Sequence, residues 1–313
     1  MISMKPKVPQ PDSTSVLNDA VDQVSQVLLG KETSIKLAFC CLLAKGHLLI
    51  EDMPGMGKTT LAHALAQSLG IKFNRVQFTS DMLPADILGT NIFDQAKSTF
   101  RFHPGPIFTH LLLADEINRA NPKTQSALLE AMAEKQVSIE GKTWQLMSPF
   151  FVIATQNPLS QIGTFPLPES QLDRFLMRLS LGYPSDLAER QLLQSLHTNQ
   201  PDLAAVISDE QLLGYQSCLA DVHASESLLD YVQALLANTR NHKDLAYGLS
   251  PRGAQALMMA ARAWCFLAGR DYLIPEDIQA VAASVFVHRL SLAAESIEAA
   301  EQIVEQLLAS TPV

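Results

Sequence analysis

One stretch constrains this chain more than any other: Ile50-Glu51-Asp52-Met53-Pro54-Gly55-Met56-Gly57-Lys58-Thr59-Thr60. It follows the apolar run His47–Ile50 and opens a helical pattern that reaches about Leu69. Strand, Gly/Pro loop and helix in that order is the context a phosphate-cradling loop requires. Gly55 and Gly57 let the backbone turn its N–H groups inward, and the helix start adds partial positive charge. Lys58 would then reach the β- and γ-phosphates of a nucleotide, and the Thr59 hydroxyl would ligate Mg²⁺. Pro54, Met56 and Thr60 complete the candidate cradle. The consensus G-x-x-x-x-G-K-[ST] has glycine where this chain has Asp52.

A second signal lies at the end of another apolar run. Leu111-Leu112-Leu113-Ala114 is followed by two carboxylates, Asp115 and Glu116. Taken alone, such an ending reads as a turn. Behind a phosphate loop in an alternating β/α pattern, Asp115 becomes a candidate for the Mg²⁺ shell and Glu116 for polarising the attacking water. Phe150–Thr155 is a further apolar strand, and it runs into Gln156-Asn157-Pro158. Asn157 could bond the water or the γ-phosphate, although for this segment taken alone an Asn-Pro turn is the preferred reading. Gln77 either restrains Glu116 or merely faces solvent. Asn121-Pro122 reads as a helix start, with Asn121 capping.

Around these signals the texture changes once. Residues 1 to about 14 read as a disordered tail, and helical spacing from Val16 ends at Gly30. A second helix over about Glu32–Ala44 is apolar almost all round and so predicted to be buried. Short strands at His47–Glu51, Ile71–Phe78, Leu111–Asp115, Phe150–Thr155 and Met177–Leu181 alternate with helices, which predicts a parallel sheet covered on both faces. After Tyr183-Pro184 the strand signal stops. Helical patterns then fill 186–197, 209–221, 225–241, 251–268, 275–287 and 292–309. The division expected is an α/β domain over 15–183 and an all-α domain over 184–313.

Composition narrows the function classes. With 23 Lys and Arg against 32 Asp and Glu, the net charge is −9, which disfavours a broad nucleic-acid surface. The longest uncharged apolar run, Leu37–Ala44, is far short of a membrane span, and Pro9, Pro11 and Asp12 stand where a signal peptide would have its apolar core. Cys40, Cys41, Cys218 and Cys265 show neither metal nor disulfide spacing. These features predict a cytoplasmic protein, with membrane recruitment through a partner left open. His47, His63, His103 and His110 carry no metal signature and read as structural.

Taken together, these residues resemble the MoxR branch of the AAA+ ATPases. The matching stretches are Glu51–Thr59, Gly105-Pro106-Ile107-Phe108, Leu113–Arg119, Lys123–Met132, Ala154–Pro158 and Leu167–Phe175. The likeness runs from about residue 25 to 290 and is most specific over 47–182. Asp52 is common in this branch. The resemblance implies a five-stranded parallel sheet of order 5-1-4-3-2, a helical lid, and rings, usually hexamers, with nucleotide between neighbouring subunits. It makes Asn157 the first sensor. It makes Arg174 the arginine finger delivered to the next subunit, with Arg178 as the backup, and Arg252 the second sensor in its own or a neighbouring chain. Without the family, Arg174 reads as a surface charge and Arg252 as a helix-start residue.

The activity implied is Mg²⁺-dependent ATP hydrolysis by a ring-forming remodeller or chaperone that matures client proteins, with a von Willebrand factor A-domain partner. The alternatives are the motor subunit of a metal chelatase, a DNA-translocating helicase, and a nucleotide-gated scaffold with little turnover. Two insertions fit the same branch. Residues 86–104 are expected to form a loop and hairpin inserted in the helix after the second strand, and 136–146 a hairpin turning at Gly141-Lys142. Either these hairpins touch the client, or they only pack the ring.

Overall fold

The computed structural model describes residues 11–158, 163–194, 203–292 and 297–312. From the N-terminus the chain runs α1 (Pro11–Val27), α2 (Glu32–Leu43), β1 (Leu48–Glu51), α3 (Lys58–Ser68), β2 (Phe73–Gln77) and α4 (Pro84–Leu88). The hairpin β3–β4 (Gly89–Asp94, Thr99–Pro104) leads to β5 (Leu111–Asp115) and α5 (Pro122–Glu134). A second hairpin, β6–β7 (Gln136–Ile139, Lys142–Gln145), precedes β8 (Phe151–Gln156), the single turn α6 (Glu169–Leu172) and β9 (Met177–Leu179). Beyond lie α7 (Asp186–Gln194), α8 (Asp209–Cys218), α9 (Glu226–Asn241), β10 (Leu245–Tyr247), α10 (Pro251–Leu267), α11 (Pro275–Phe286), β11 (Ser291–Leu292) and α12 (Ile297–Ser310).

The central sheet has the order β2-β5-β8-β1-β9, with every neighbouring pair parallel. Counting only its own strands along the chain, this is the expected 5-1-4-3-2. Alternation along the strands divides the core. Leu48, Ile50, Leu111, Leu113, Phe151, Ile153 and Met177 face α1, α2, α3 and the C-terminal helices. Leu49, Leu112, Ala114, Val152 and Ala154 face the side of α4 and α5. A fully buried Leu or Ile contributes about 1.5–3 kcal/mol, so both faces must be covered. The registers Glu51↔Gln156 and Gln77↔Asp115 bring the carboxyl ends of these strands to one edge. In open α/β sheets, ligands bind at that edge.

Three features differ from the sequence expectation. Helix α1 begins at Pro11, ahead of the expected end of the tail, and proline suits a first helical turn. Residues 1–10 lie outside those described. No helix resumes after β3–β4. Gly89 and Gly105 pinch the base of this hairpin, where a Cβ on Gly105 would stand 2.2 Å from Ile87 O, and the chain turns straight into β5. The C-terminal region is helical but adds an antiparallel pair, β10–β11, too short to show a strand period. Residues 195–197 and 293–296 of the helices expected over 186–197 and 292–309 lie outside those described. The turn of β6–β7 falls at Glu140-Gly141, one residue ahead of expectation. Among the described residues no helix is long and apolar enough to cross a membrane.

Candidate nucleotide site

The cradle is built where β1 ends. Gly55 (φ +85°) and Gly57 (φ +90°) adopt the left-handed conformation that side chains resist. A Cβ on Gly57 would also come within 2.6 Å of Leu28 Cδ1. Gly57 precedes α3, and no side chain caps that helix, so its first N–H groups are left to a ligand. Lys58 is buried, and its Nζ donates to Asp52 O at 2.6 Å. Burial lowers its pKa, while Asp52, Asp115 and Glu116 act in the opposite sense. Thr59 and Thr60 follow in the first turn, Pro54 is exposed on the loop, and Met56 packs on the core.

Asp52 explains its own departure from the consensus. Its carboxylate accepts from Ser180 Oγ at 3.0 Å, Gly182 N at 3.2 Å and Leu181 N. The start of the loop is thereby tied to the chain leaving β9, a connection glycine could not make.

The two acids lie beside the cradle. Asp115 Oδ1 accepts from Thr155 Oγ1 at 2.6 Å, and Oδ2 from Arg75 Nη2 at 2.7 Å. Glu116 has φ +56°, a strained value for a residue with a Cβ, and its N–H donates to the same Thr155 Oγ1 at 2.8 Å. Its Oε2 accepts from Gln77 Nε2 at 2.8 Å and pairs with Arg119 Nε at 2.9 Å. Gln77 therefore touches Glu116 rather than simply facing water. Asn157 follows β8 at the same edge and is buried. The Thr59 hydroxyl and the Asp115 carboxylate are hard oxygen donors, which suits Mg²⁺, and the uncapped α3 start suits its phosphates. Asn121 caps α5 through Lys123 N and Thr124 N, both at 3.1 Å, and takes no part in the site.

Arg174 and Arg252 are elsewhere. Both line a cavity that also includes Lys45, His47, Lys135, Asp173 and Arg289. Leu176 N donates to His47 O, which fixes this cavity at the amino end of β1, whereas the cradle follows its carboxyl end. The strand alone separates them by about 13 Å. Arg174 Nη1 donates to Leu129 O at 2.5 Å, and Arg252 Nε lies 3.5 Å from Asp173 Oδ2. Arg178, the backup, is buried and bound to Glu51 Oε2 at 2.5 Å.

Sequence reasoning missed Thr155, Arg75, Arg119 and the tie made by Asp52. Thr155 carried a signal, being the first polar residue on a buried strand beside the acidic one. Arg75 and Arg119 carried none, since their partners emerge only on folding.

A parallel sheet in this order, a glycine cradle and paired acids at the strand ends define a P-loop ATPase of the AAA+ class. Residues 47–177 match the ATPase family associated with various cellular activities (AAA), and 237–307 match the AAA lid domain. The chain is 45% identical over 310 residues to the uncharacterized protein YeaC of Bacillus subtilis, covering 97% of each. It is 40% identical over 290 residues to the chaperone MoxR1 of Mycobacterium tuberculosis, covering 90% of this chain and 77% of that one. A crystal structure assigned as an ATPase from Cytophaga hutchinsonii superposes with a TM-score of 0.88 at 36% identity, covering 96% of each chain. The chain belongs to the MoxR family of AAA+ ATPases.

Proposed function

We propose that this chain hydrolyses ATP with Mg²⁺ at sites shared between adjacent copies, in a ring that remodels client proteins as a chaperone. The observation that carries this reading is the separation of the cradle from Arg174 and Arg252 by the length of β1. Guanidiniums at the amino end of the sheet lie a strand's length from the phosphates of their own chain, which supports both arginines serving a neighbour. The α/β core over 15–183 supplies cradle, acids and finger, and the lid over 184–313 supplies Arg252.

Lys58 and the start of α3 bind the phosphates, while Thr59 and Asp115 hold the metal. Bound Mg²⁺ supplies neutralisation of charge on the phosphate oxygens. Glu116 orients the water and accepts its proton at the carboxylate, and Asn157 fixes the water from the adjoining strand. Arg174 and Arg252 of the neighbour offset charge on the transferring phosphoryl group, an effect worth ~10³–10⁵ in rate for an arginine finger. The chaperone role is supported by the likeness to chaperone MoxR1. A hexameric ring and a von Willebrand factor A-domain partner are supported by family membership. The two hairpins form one body, with Phe102 stacked on Trp144 at 4.4 Å and Asn91 Nδ2 donating to Glu140 Oε2 at 2.7 Å. Exposed Ile92, Phe93 and Phe100 there support contact with a client.

Steady-state turnover of Arg174→Ala tests the reading. ATP binding is expected to persist and turnover to be lost. Wild-type turnover by the variant, or full turnover by the wild-type protein at a dilution where sedimentation finds only monomer, would overturn it.

A further inference from the structure

The lid and the turn that carries Arg174 meet at one buried arginine. Arg289 follows α11, and its side chain is 5% exposed. Its guanidinium donors converge on a single turn. Nε donates to Asp173 Oδ1 at 2.8 Å, Nη2 to Phe175 O at 2.6 Å and Nη1 to Leu176 O at 3.0 Å. Nη1 also reaches back to Val285 O of α11 at 2.7 Å, and His288 Nε2 lies 3.0 Å from Phe175 O. The residues on both sides of Arg174 are thus held by the lid. Asp173 takes a second cation from the lid, Arg252, so one carboxylate is shared by Arg252 and Arg289 and stands next in the chain to Arg174. A Cβ on Gly253 would stand 3.3 Å from Arg289 Cδ, which shows how closely α10 lies against this stem.

A buried guanidinium is costly unless its donors are satisfied, and a lone structural ion pair would be replaceable by an apolar residue. Arg289 instead spreads its planar fork over three residues of the finger turn, Asp173, Phe175 and Leu176, which a lysine could not match. We propose that Arg289 is a positioning residue. It locks the Asp173–Leu176 turn to the lid, so that Arg174 and Arg252 reach the neighbour's nucleotide as one rigid pair that moves with the lid. This rests on the shared-site reading above.

The test is complementation between variants. Arg289→Met is expected to lower kcat by ~10²-fold, the scale of misplacing a catalytic group by about 1 Å. Its affinity for a fluorescent ATP analogue should stay unchanged, since its own cradle lies at the far end of β1. Mixing it with Glu116→Gln, which keeps an intact finger face but cannot activate water, should restore turnover well above either variant alone. Arg174→Ala mixed with Glu116→Gln is the control for the shared site. If the control is restored and the Arg289→Met mixture is not, Arg289 does not act through the finger face and the inference falls. If the control itself stays inactive, the shared-site reading falls. Should Arg289→Met fail to bind the analogue, Asp173→Asn takes its place in the mixture and is judged by the same outcomes.

Discussion

Gln77 Nε2 donates to Glu116 Oε2 at 2.8 Å, so the acid that would activate water is held by the adjoining strand. Arg119 Nε holds the same oxygen at 2.9 Å. While that oxygen is engaged, it is a weaker acceptor for the proton of an attacking water. This bond lies exposed to solvent, so a net worth of about 1 kcal/mol applies, which corresponds to roughly a fivefold change in an equilibrium. Gln77→Ala is therefore expected to raise basal ATP turnover roughly fivefold at saturating ATP. Unchanged or lower turnover would show that the contact aligns Glu116 rather than restraining it.

Thr155 is fully buried and serves both acids, donating to Asp115 Oδ1 and accepting from Glu116 N. Thr155→Val keeps the shape and leaves both partners unpaired, at a cost of about 1–3 kcal/mol. A fall of several degrees in Tm and a loss of turnover are expected, with Thr155→Ser close to wild type in both. Equal behaviour of valine and serine would mean that the methyl packing matters and the hydroxyl does not.

How far this site could be read from the sequence depended on how locally each part is encoded. Lys58 and Thr59 follow their glycines directly, and Asp115 and Glu116 directly end an apolar run, so strand, loop and helix announced them. The sheet order followed from the family likeness, since spacing alone does not say which strands adjoin. Arg75 and Arg289 were illegible for one shared reason, and Arg252 was legible only through the family likeness. Arg75 meets Asp115 40 residues away, and Arg289 meets Asp173 116 residues away. No local pattern marks such pairs. Arg252 stands at an ordinary helix start capped by Ser250, and only folding sets it beside Asp173.

Asp52 is the clearest case of a residue whose meaning is tertiary. Its backbone lacks the positive φ that would call for glycine, so the consensus residue gains nothing there. Asp52→Gly removes an acceptor for Ser180 Oγ, Leu181 N and Gly182 N. Hydrogen bonds to a charged group contribute about 1.5–3 kcal/mol, so a clear drop in the denaturant midpoint is expected. Nucleotide affinity should weaken with it, because the loop loses its anchor to the chain after β9. A variant with wild-type affinity and midpoint would refute the anchoring role.

The last expectation concerns pH. His47 sits at the start of β1, 6% exposed, with Nδ1 accepting from Val152 N at 3.0 Å and Nε2 3.3 Å from Met132 O. Burial lowers its pKa to about 4 and Lys135 adds to the shift, while the Met132 carbonyl acts against it. The folded protein therefore keeps this ring neutral where the unfolded chain, with an ordinary pKa near 6.5, is protonated. In that window the unfolded state binds more protons, so stability rises with pH. The contribution is complete above about 6.5, is lost as pH falls through the window, and amounts to about 3 kcal/mol once pH is below both values. Buried His288 has its pKa lowered in the same direction and will remain in any variant of His47. His47→Asn offers an acceptor in place of Nδ1 without a group that titrates here. Its absolute stability is expected to be lower, yet its decline between pH 7 and pH 4.5 should be shallower than that of the wild type. Parallel declines in urea melts across that range would show that His47 is already paid for in the unfolded state and contributes no acid sensitivity.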